Sequence, residues 1–199
     1  MIDWINFSVL IISLFLFSYF YILSVQPVKR EKRRGERAWR ECMRFRVFAS
    51  VFEFIIVINL IMWLWFPIPL FNWKIHIDFI FGLIIGILIS IPCVVLLIQG
   101  MRDAGSETLQ PSKQTQMYGG IYNYIRHPQS LGEFPLFIAI AFIVNSWFLV
   151  ALTGVYILLY IPIMIYYEEK DLIKRFGEKY REYQKRTGVL FPRFKRKVN

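Results

Sequence analysis

Long apolar runs alternate with short polar segments along this chain of 199 residues. Three of these runs have the length of a membrane-spanning helix, which needs about 20 apolar residues to cross a hydrocarbon core roughly 30 Å thick. They cover residues 4–25, 47–70 and 77–98. The first run is too long for a cleaved signal peptide and lacks a basic start, so we interpret it as a true span.

A fourth apolar run, residues 131–167, is too long for one span. As a single helix it would measure about 55 Å at 1.5 Å per residue. Asn145-Ser146 near its middle is typical of a tight turn between helices, so we predict two spans, 131–144 and 147–167. The pattern therefore predicts an all-α integral membrane protein with five transmembrane helices, of which the last two form a helical hairpin.

The basic residues are concentrated in two segments, which predicts how the chain is oriented. Residues 26–46 hold nine of the 24 Lys and Arg residues, and residues 168–199 hold eleven. Five spans place both segments on one side of the membrane, whereas four would separate them. Since basic loops stay in the cytoplasm, we expect the N-terminus outside and the C-terminus inside, with residues 29–46 on the surface of anionic lipid.

The segment after the last span has the pattern of an amphipathic helix. Leu172, Phe176, Tyr180 and Tyr183 recur at spacings of four, four and three, which places an apolar stripe on one helical face. Gly188 is a typical helix end. We predict one continuous amphipathic helix that lies at the cytoplasmic membrane surface.

Composition changes this picture little. Hydrophobic residues make up 56% of the chain, and a soluble domain of this size has no core large enough to hide them. The net charge of +10 raises the possibility of a nucleic-acid partner, but the basic residues flank apolar spans, as membrane topology requires. Cys42 and Cys93 lie far apart, so neither a metal site nor a disulfide is implied.

The polar loop 99–129 is much longer than a connection needs, which suggests that it has a function. It divides a three-span region, residues 1–98, from the region 99–199. Gly119-Gly120 allows a ligand to approach the backbone, and Tyr118, Tyr122 and Tyr124 offer flat faces for stacking. Arg126-His127-Pro128 comes next, and Pro128 suits the first turn of a helix. Arg126 and the free N–H groups of that turn would attract a carboxylate or phosphate.

Two adjacent carboxylates, Glu168-Glu169, follow the last span. Because the hairpin returns the chain to the side that it left, we expect them to lie close to Arg126 and His127. Cationic and anionic groups brought together in this way would match a zwitterionic ligand. Taken separately, Arg126-His127 and Glu168-Glu169 would each be typical of charged residues at a membrane boundary.

Two further carboxylates lie within apolar runs. Ionisable groups inside a span are costly to bury and are functional candidates by default. Glu53 is about two turns into the second span, and Glu133 is about one and a half turns past His127. We expect both to face one cavity on the cytoplasmic side.

These residues together resemble a known family. The motif G-I-Y-x-x-I-R-H-P-x-x-x-G covers residues 120–132, and E-E-x-x-L-x-x-x-F-G-x-x-Y-x-x-Y covers residues 168–183, with a hairpin between them. This order is similar to that of the integral membrane methyltransferases, which include isoprenylcysteine carboxyl methyltransferases and phospholipid N-methyltransferases. The resemblance extends over residues 99–193.

The resemblance implies a site for S-adenosylmethionine (SAM) formed by the loop, the Arg-His-Pro segment and the Glu-Glu segment. The residues that it assigns to the cofactor are Tyr118, Gly120, Ile121, Tyr122, Arg126, His127, Pro128, Glu168 and Glu169. A lipophilic methyl acceptor would enter from the bilayer between helices, and catalysis would consist mostly of positioning and exclusion of water. For an amine acceptor, the base would be Glu133 or Glu53.

The chain departs from the family at three positions. Gln114 stands where many members have His, and Ser130 stands where many have Tyr. Met164 stands where the prenylcysteine enzymes have Arg, which argues against a prenylcysteine carboxylate and leaves a lipid amine or another lipophilic acceptor. Two alternatives stay open: an NADPH-dependent membrane reductase of the sterol-reductase type, and a non-catalytic membrane scaffold that retains the fold.

Overall fold

A computed structural model describes residues 1–115 and 119–193, and these residues form a helical bundle. The helices are α1 (Ile2–Ser24), α2 (Pro27–Arg34), α3 (Arg37–Met62), α4 (Phe79–Ala104), α5 (Pro128–Glu133), α6 (Pro135–Ile143), α7 (Trp147–Phe176) and α8 (Glu178–Arg186). Single 3₁₀ turns occur at Pro69–Phe71, Gly105–Thr108 and Gly120–Asn123. The expected all-α class is confirmed.

Four helices are long and apolar enough to cross a membrane: α1, α3, α7, and α4 with its following turn. Their outward faces carry large exposed apolar side chains, such as Leu88 (64% exposed) on α4 and Leu158 (75% exposed) on α7. Water would disfavour such a surface, whereas lipid tails match it. The chain is thus a multi-pass membrane protein. The segment Pro128–Ile143 is apolar but shorter, so the structure supports four spans by length where the sequence predicted five.

The two ends of the bundle differ in charge. We call the end that holds α2 and α8 the basic end, and the end that holds the turns at Trp73 and Asn145 the far end. The Asn145 side chain donates to the His76 carbonyl (2.8 Å) and accepts from the His76 N–H (3.1 Å), which ties the two turns together. Asn145 has a positive φ of 56°. The segment Pro128–Ile143 therefore runs from the basic end to the far end, and α7 returns.

Close packing joins α4 to this segment. A Cβ at Gly132 would lie 2.6 Å from the Cys93 carbonyl oxygen, and one at Gly86 would lie 2.6 Å from the Ala139 carbonyl oxygen. These glycines bring the backbones into contact, as small residues do between helices in membranes. Near the middle of the bundle, the core consists largely of aliphatic and aromatic side chains such as Phe17, Ile56 and Phe134.

Two predicted boundaries are wrong. The second span was expected to reach residue 70, but α3 ends at Met62. Pro67 has no N–H to donate to the carbonyl four residues earlier, and it disfavours helical backbone at Phe66. The predicted single amphipathic helix is broken at Gly177, which has a φ of 61° and caps α7 through a hydrogen bond to the Ile173 carbonyl (2.8 Å).

The break at Gly177 turns α8 back onto the bundle, and α2 is fixed to α7 by a separate contact. The buried carboxylate of Asp171 accepts hydrogen bonds from the N–H groups of Val28 (3.0 Å) and Lys29 (2.8 Å). These are free donors of the first turn of α2, where a negative charge is favourable. The contact holds a basic helix against the end of α7.

Candidate active site

A cavity of about 230 Å³ opens at the basic end. Its walls come from both halves of the chain, because α1 and α3 contribute as well as α4, α5, α7 and α8. Apolar side chains such as Phe17 and Leu97 line it together with ionisable side chains. The predicted site residues lie in or near this cavity.

Arg126 is buried and holds three parts of the chain together. Its Nε donates to Glu169 Oε1 at 2.6 Å, and one terminal nitrogen donates to the carbonyls of Gln184 (3.1 Å) and Thr187 (2.5 Å). Arg126 borders the cavity, but these contacts use its donors inside the protein. The sequence predicted that Arg126 binds the anionic group of a ligand; in the structure its Nε also has an internal carboxylate partner.

His127 lies between the two glutamates. Its Nδ1 is 3.1 Å from Glu168 Oε2, and its Nε2 is 3.2 Å from Glu169 Oε1. Burial lowers the pKa of the imidazole, but the negative charges and hydrogen bonds of Glu168 and Glu169 outweigh this and raise the pKa to about 9. His127 is therefore an imidazolium at neutral pH, with both ring nitrogens donating.

The C-terminal segment docks onto the residues before α5. The N–H groups of Arg126 and His127 donate to the carbonyls of Gly188 (2.9 Å) and Val189 (3.1 Å). The Tyr183 hydroxyl donates to the Tyr122 carbonyl at 2.6 Å. The Arg-His-Pro segment is thus held by both α7 and the chain after α8, which fixes its position at the cavity.

The glycine-rich part of the loop is fixed by α4. Gly120 has a φ of 60° and lies so close to Asp103 that a side chain would clash. The Ile121 N–H donates to Asp103 Oδ2 at 2.8 Å, and the Tyr122 hydroxyl receives a hydrogen bond from Gln129 at 2.9 Å. Tyr122 lines the cavity, whereas Gly120 and Ile121 support it from outside. Tyr118 lies outside the described residues.

Glu53 and Glu133 both line the cavity, as the sequence predicted. Glu53 belongs to α3 and Glu133 to the last turn of α5. Glu168 also lines the cavity, while Glu169 and Pro128 do not. Together with Glu107 and Asp171, five carboxyl groups line the cavity.

A buried charge network also lines the cavity, and the sequence did not predict it. Arg175 and Glu107 form an ion pair at 2.6 Å, with both side chains 7% exposed. Arg46 donates to the carbonyls of Glu107 (2.6 Å) and Thr108 (2.9 Å). In the described part of the chain, the buried Nε atoms of Arg46 and Arg175 have no hydrogen-bond partner. Nothing in the sequence separates these arginines from their basic neighbours.

Side chains of both charges line the cavity. The cationic ones are Arg46, Arg126, His127 and Arg175, and the acidic ones are Glu53, Glu107, Glu133, Glu168 and Asp171. A ligand with a carboxylate and separate cationic groups would find partners of both kinds. Arg46 and Arg175 thus join Arg126, the cation that the sequence singled out.

The three departures from the family motif have different surroundings. Ser130 is buried and lines the cavity, whereas Gln114 is exposed in the loop. Met164 is fully buried in the apolar core. No cation therefore stands at that position of α7.

The fold and the site define the class of the protein: a multi-pass helical membrane protein with a charged cavity at one end. The family model described as phospholipid methyltransferase matches residues 77–179, about half of the chain. The chain therefore belongs to the phospholipid methyltransferase family.

Known relatives carry related names. A methanethiol S-methyltransferase of Pseudomonas deceptionensis is 31% identical over 156 residues, which cover 71% of this chain and 57% of the relative. Methanethiol S-methyltransferase 2 of Bradyrhizobium diazoefficiens is 26% identical over 92% of this chain and 73% of the relative. The chain thus spans little more than half the length of the Pseudomonas protein.

Proposed function

We propose that this protein is a SAM-dependent methyltransferase that acts on a lipophilic or thiol acceptor at the membrane. The observation that carries the proposal is the cavity lined by side chains of both charges, where His127 lies between Glu168 and Glu169. The family and the names of the relatives support the same chemistry. None of these relatives is named as a reductase or a scaffold.

The residues of the cavity fit the charges of SAM. Arg46 and Arg175, which both line the cavity, are the candidate partners for the carboxylate of its methionine part. Glu168, whose side chain is 27% exposed and lines the cavity, is the candidate partner for the ammonium group. Tyr122 on the loop side is the candidate contact for the adenosine. Bound SAM would supply a methyl group activated by a positively charged sulfur.

The acceptor end of the cavity is the part lined by Phe17, Tyr21, Leu97 and the Glu53–Glu133 pair. Its apolar walls suit a small lipophilic molecule and keep water from the reacting atoms. The two relatives are named for methyl transfer to methanethiol, so a thiol is a natural candidate acceptor. Positioning of the acceptor against the methyl group would then account for most of the rate.

The same proposal includes the membrane topology. The basic end would face the cytoplasm, where SAM is made available, and the N-terminus would lie outside. The segment Pro128–Ile143 would cross as a fifth, short span of about 24 Å at 1.5 Å per residue. The cavity would then open to water from the basic end and to lipid between helices.

Titration of the detergent-purified protein with S-adenosylhomocysteine tests the proposal. We expect saturable binding that weakens at least about tenfold in Arg175→Gln and Glu168→Gln, because each variant removes a charged contact worth roughly 1.5–3 kcal/mol. Arg181→Gln and Glu178→Gln are matched controls, since that ion pair is exposed on α8. Absence of binding, or equal affinity in all four variants, would contradict the proposal.

A further inference from the structure

Ser130 carries a hydroxyl group that the rest of the described chain does not use. The residue is only 4% exposed, and it lines the cavity. Among residues 1–115 and 119–193, its Oγ has no hydrogen-bond partner, yet this oxygen is not one of the unpartnered atoms that are completely enclosed. Some of its surface is therefore open, and because the residue is almost entirely buried, that surface faces the cavity.

The position of Ser130 in α5 explains why its hydroxyl is free. A serine inside a helix often donates to the carbonyl four residues earlier. Ser90 of α4 does so, to the Gly86 carbonyl at 2.8 Å. Ser130 is the third residue of α5, so the residue four positions earlier, Arg126, precedes the helix. The hydroxyl thus lacks a helical carbonyl, and a buried polar group without a partner costs free energy unless another molecule satisfies it.

Ser130 lies partway along the side of α5 that borders the cavity. His127 directly precedes the helix, and Ser130 and Glu133 lie within it at a spacing of three, which places these two on one helical face. All three line the cavity. His127 contacts Glu168, the candidate partner of the SAM ammonium group, at 3.1 Å, whereas Glu133 belongs to the acceptor end. The free hydroxyl therefore lies between the proposed positions of the cofactor and the acceptor.

We propose that Ser130 is an acceptor-binding residue, whose hydroxyl accepts a hydrogen bond from the S–H group of a small thiol. This inference rests on the proposed function. The contact holds the sulfur in place and directs it toward the methyl group of SAM. It moves no proton and forms no covalent bond, because its role is to position the reacting atoms, which lowers the barrier to transfer.

Charge and size both favour the acceptor as the partner of this hydroxyl. The carboxylate and ammonium groups of SAM have candidate partners of opposite charge in Arg46, Arg175 and Glu168, whereas Ser130 is uncharged. A thiol is also uncharged, and its S–H group is a weak donor. Many members of the family have Tyr at this position, and a phenol ring here would fill much of a cavity of about 230 Å³. Serine leaves that space open for a small molecule.

Three variants, assayed with alkanethiols of increasing chain length, test the inference. Ser130→Ala removes the hydroxyl and should lower kcat/KM about 3- to 10-fold for every thiol, in line with one neutral hydrogen bond. Ser130→Thr keeps the hydroxyl but adds a methyl group. Its kcat/KM should stay within about threefold of wild type for methanethiol and fall about tenfold or more for longer thiols. Ser130→Val has the shape of the Thr variant without the hydroxyl, so it should lose a further factor of about 3 to 10 with each thiol.

The controls separate this inference from the proposed function. S-adenosylhomocysteine affinity should stay within about threefold of wild type in all three variants, which also shows that they fold, because only the acceptor contact is changed. Ser90→Ala removes a hydroxyl that bonds within its own helix, and it should match wild type.

The inference alone would be overturned if Ser130→Ala had the same kcat/KM as Ser90→Ala. It would also be overturned if Ser130→Ala lost as much S-adenosylhomocysteine affinity as kcat/KM, or if the wild type bound S-adenosylhomocysteine but methylated no thiol. Failure of the wild type to bind S-adenosylhomocysteine would overturn both the inference and the proposed function.

Discussion

Replacement of Arg126 by Gln removes the most connected side chain at the basic end. The structure gives this side chain three hydrogen bonds, to Glu169 and to the carbonyls of Gln184 and Thr187. Arg126 is 6% exposed and Glu169 is 15% exposed, so solvent cannot replace the lost partner. Removal of one member of a buried pair costs about 3–5 kcal/mol, because the other charge stays behind.

The expected loss is large enough to measure by thermal denaturation. A chain of this size loses roughly 2–4 °C of Tm for each kcal/mol, so Arg126→Gln should lower the Tm by about 6–20 °C. Arg181→Gln is the matched control: its pair with Glu178 is exposed, and the expected change is within about 2 °C. Arg126→Lys keeps the positive charge but loses the planar guanidinium group with its several donors, so its Tm should lie between those of Arg126→Gln and Arg181→Gln. A Tm for Arg126→Gln that equals the control would refute the structural role assigned to Arg126.

Three further predictions concern neighbouring contacts. His127 has a pKa raised from 6.5 to about 9 in the folded protein, so its ion pairs stabilise the fold fully below pH 6.5 and are lost as the pH rises to 9. The Tm should therefore fall over this range, and a flat His127→Gln profile beside a falling wild-type profile would support the assignment. Gly132→Ala should cost about 1–3 kcal/mol by overpacking against α4 and lower methyl transfer, whereas Gly154→Ala, with open space around it, should cost nothing. Glu107→Gln breaks the buried pair with Arg175 and should lower the Tm by several degrees, in contrast to the exposed Glu178→Gln; equal Tm values for these two variants would contradict a buried network.

The sequence predicted which site residues lie at the same end of the bundle, because this follows from the helical hairpin and from the positions of the two basic segments. A hairpin that turns at Asn145 must return Glu168 and Glu169 to the side of Arg126 and His127. In the structure Arg126 contacts Glu169, and His127 contacts both glutamates, at 3.2 Å or less. The same reasoning put Glu53 and Glu133 in one cavity. Periodicity and topology suffice for such statements, because they need only the direction of each helix.

The sequence did not predict which charged side chains pair with which. Arg175 and Glu107 are 68 positions apart, and only tertiary packing brings them together. No sequence pattern reveals that Gln184 and Thr187 present their carbonyls to Arg126. The break at Gly177 had a readable signal, a glycine after a helical turn with basic residues, but the apolar periodicity continued across it.

The central claim is that this cavity brings SAM to a lipophilic or thiol acceptor. Transfer of a radiolabelled methyl group from SAM to an alkanethiol, measured with purified wild-type protein in lipid nanodiscs, tests it most directly. The account predicts a labelled methyl thioether whose formation is saturable and is blocked by S-adenosylhomocysteine. The account would be contradicted if folded protein formed no labelled product and S-adenosylhomocysteine displaced no bound radiolabelled SAM.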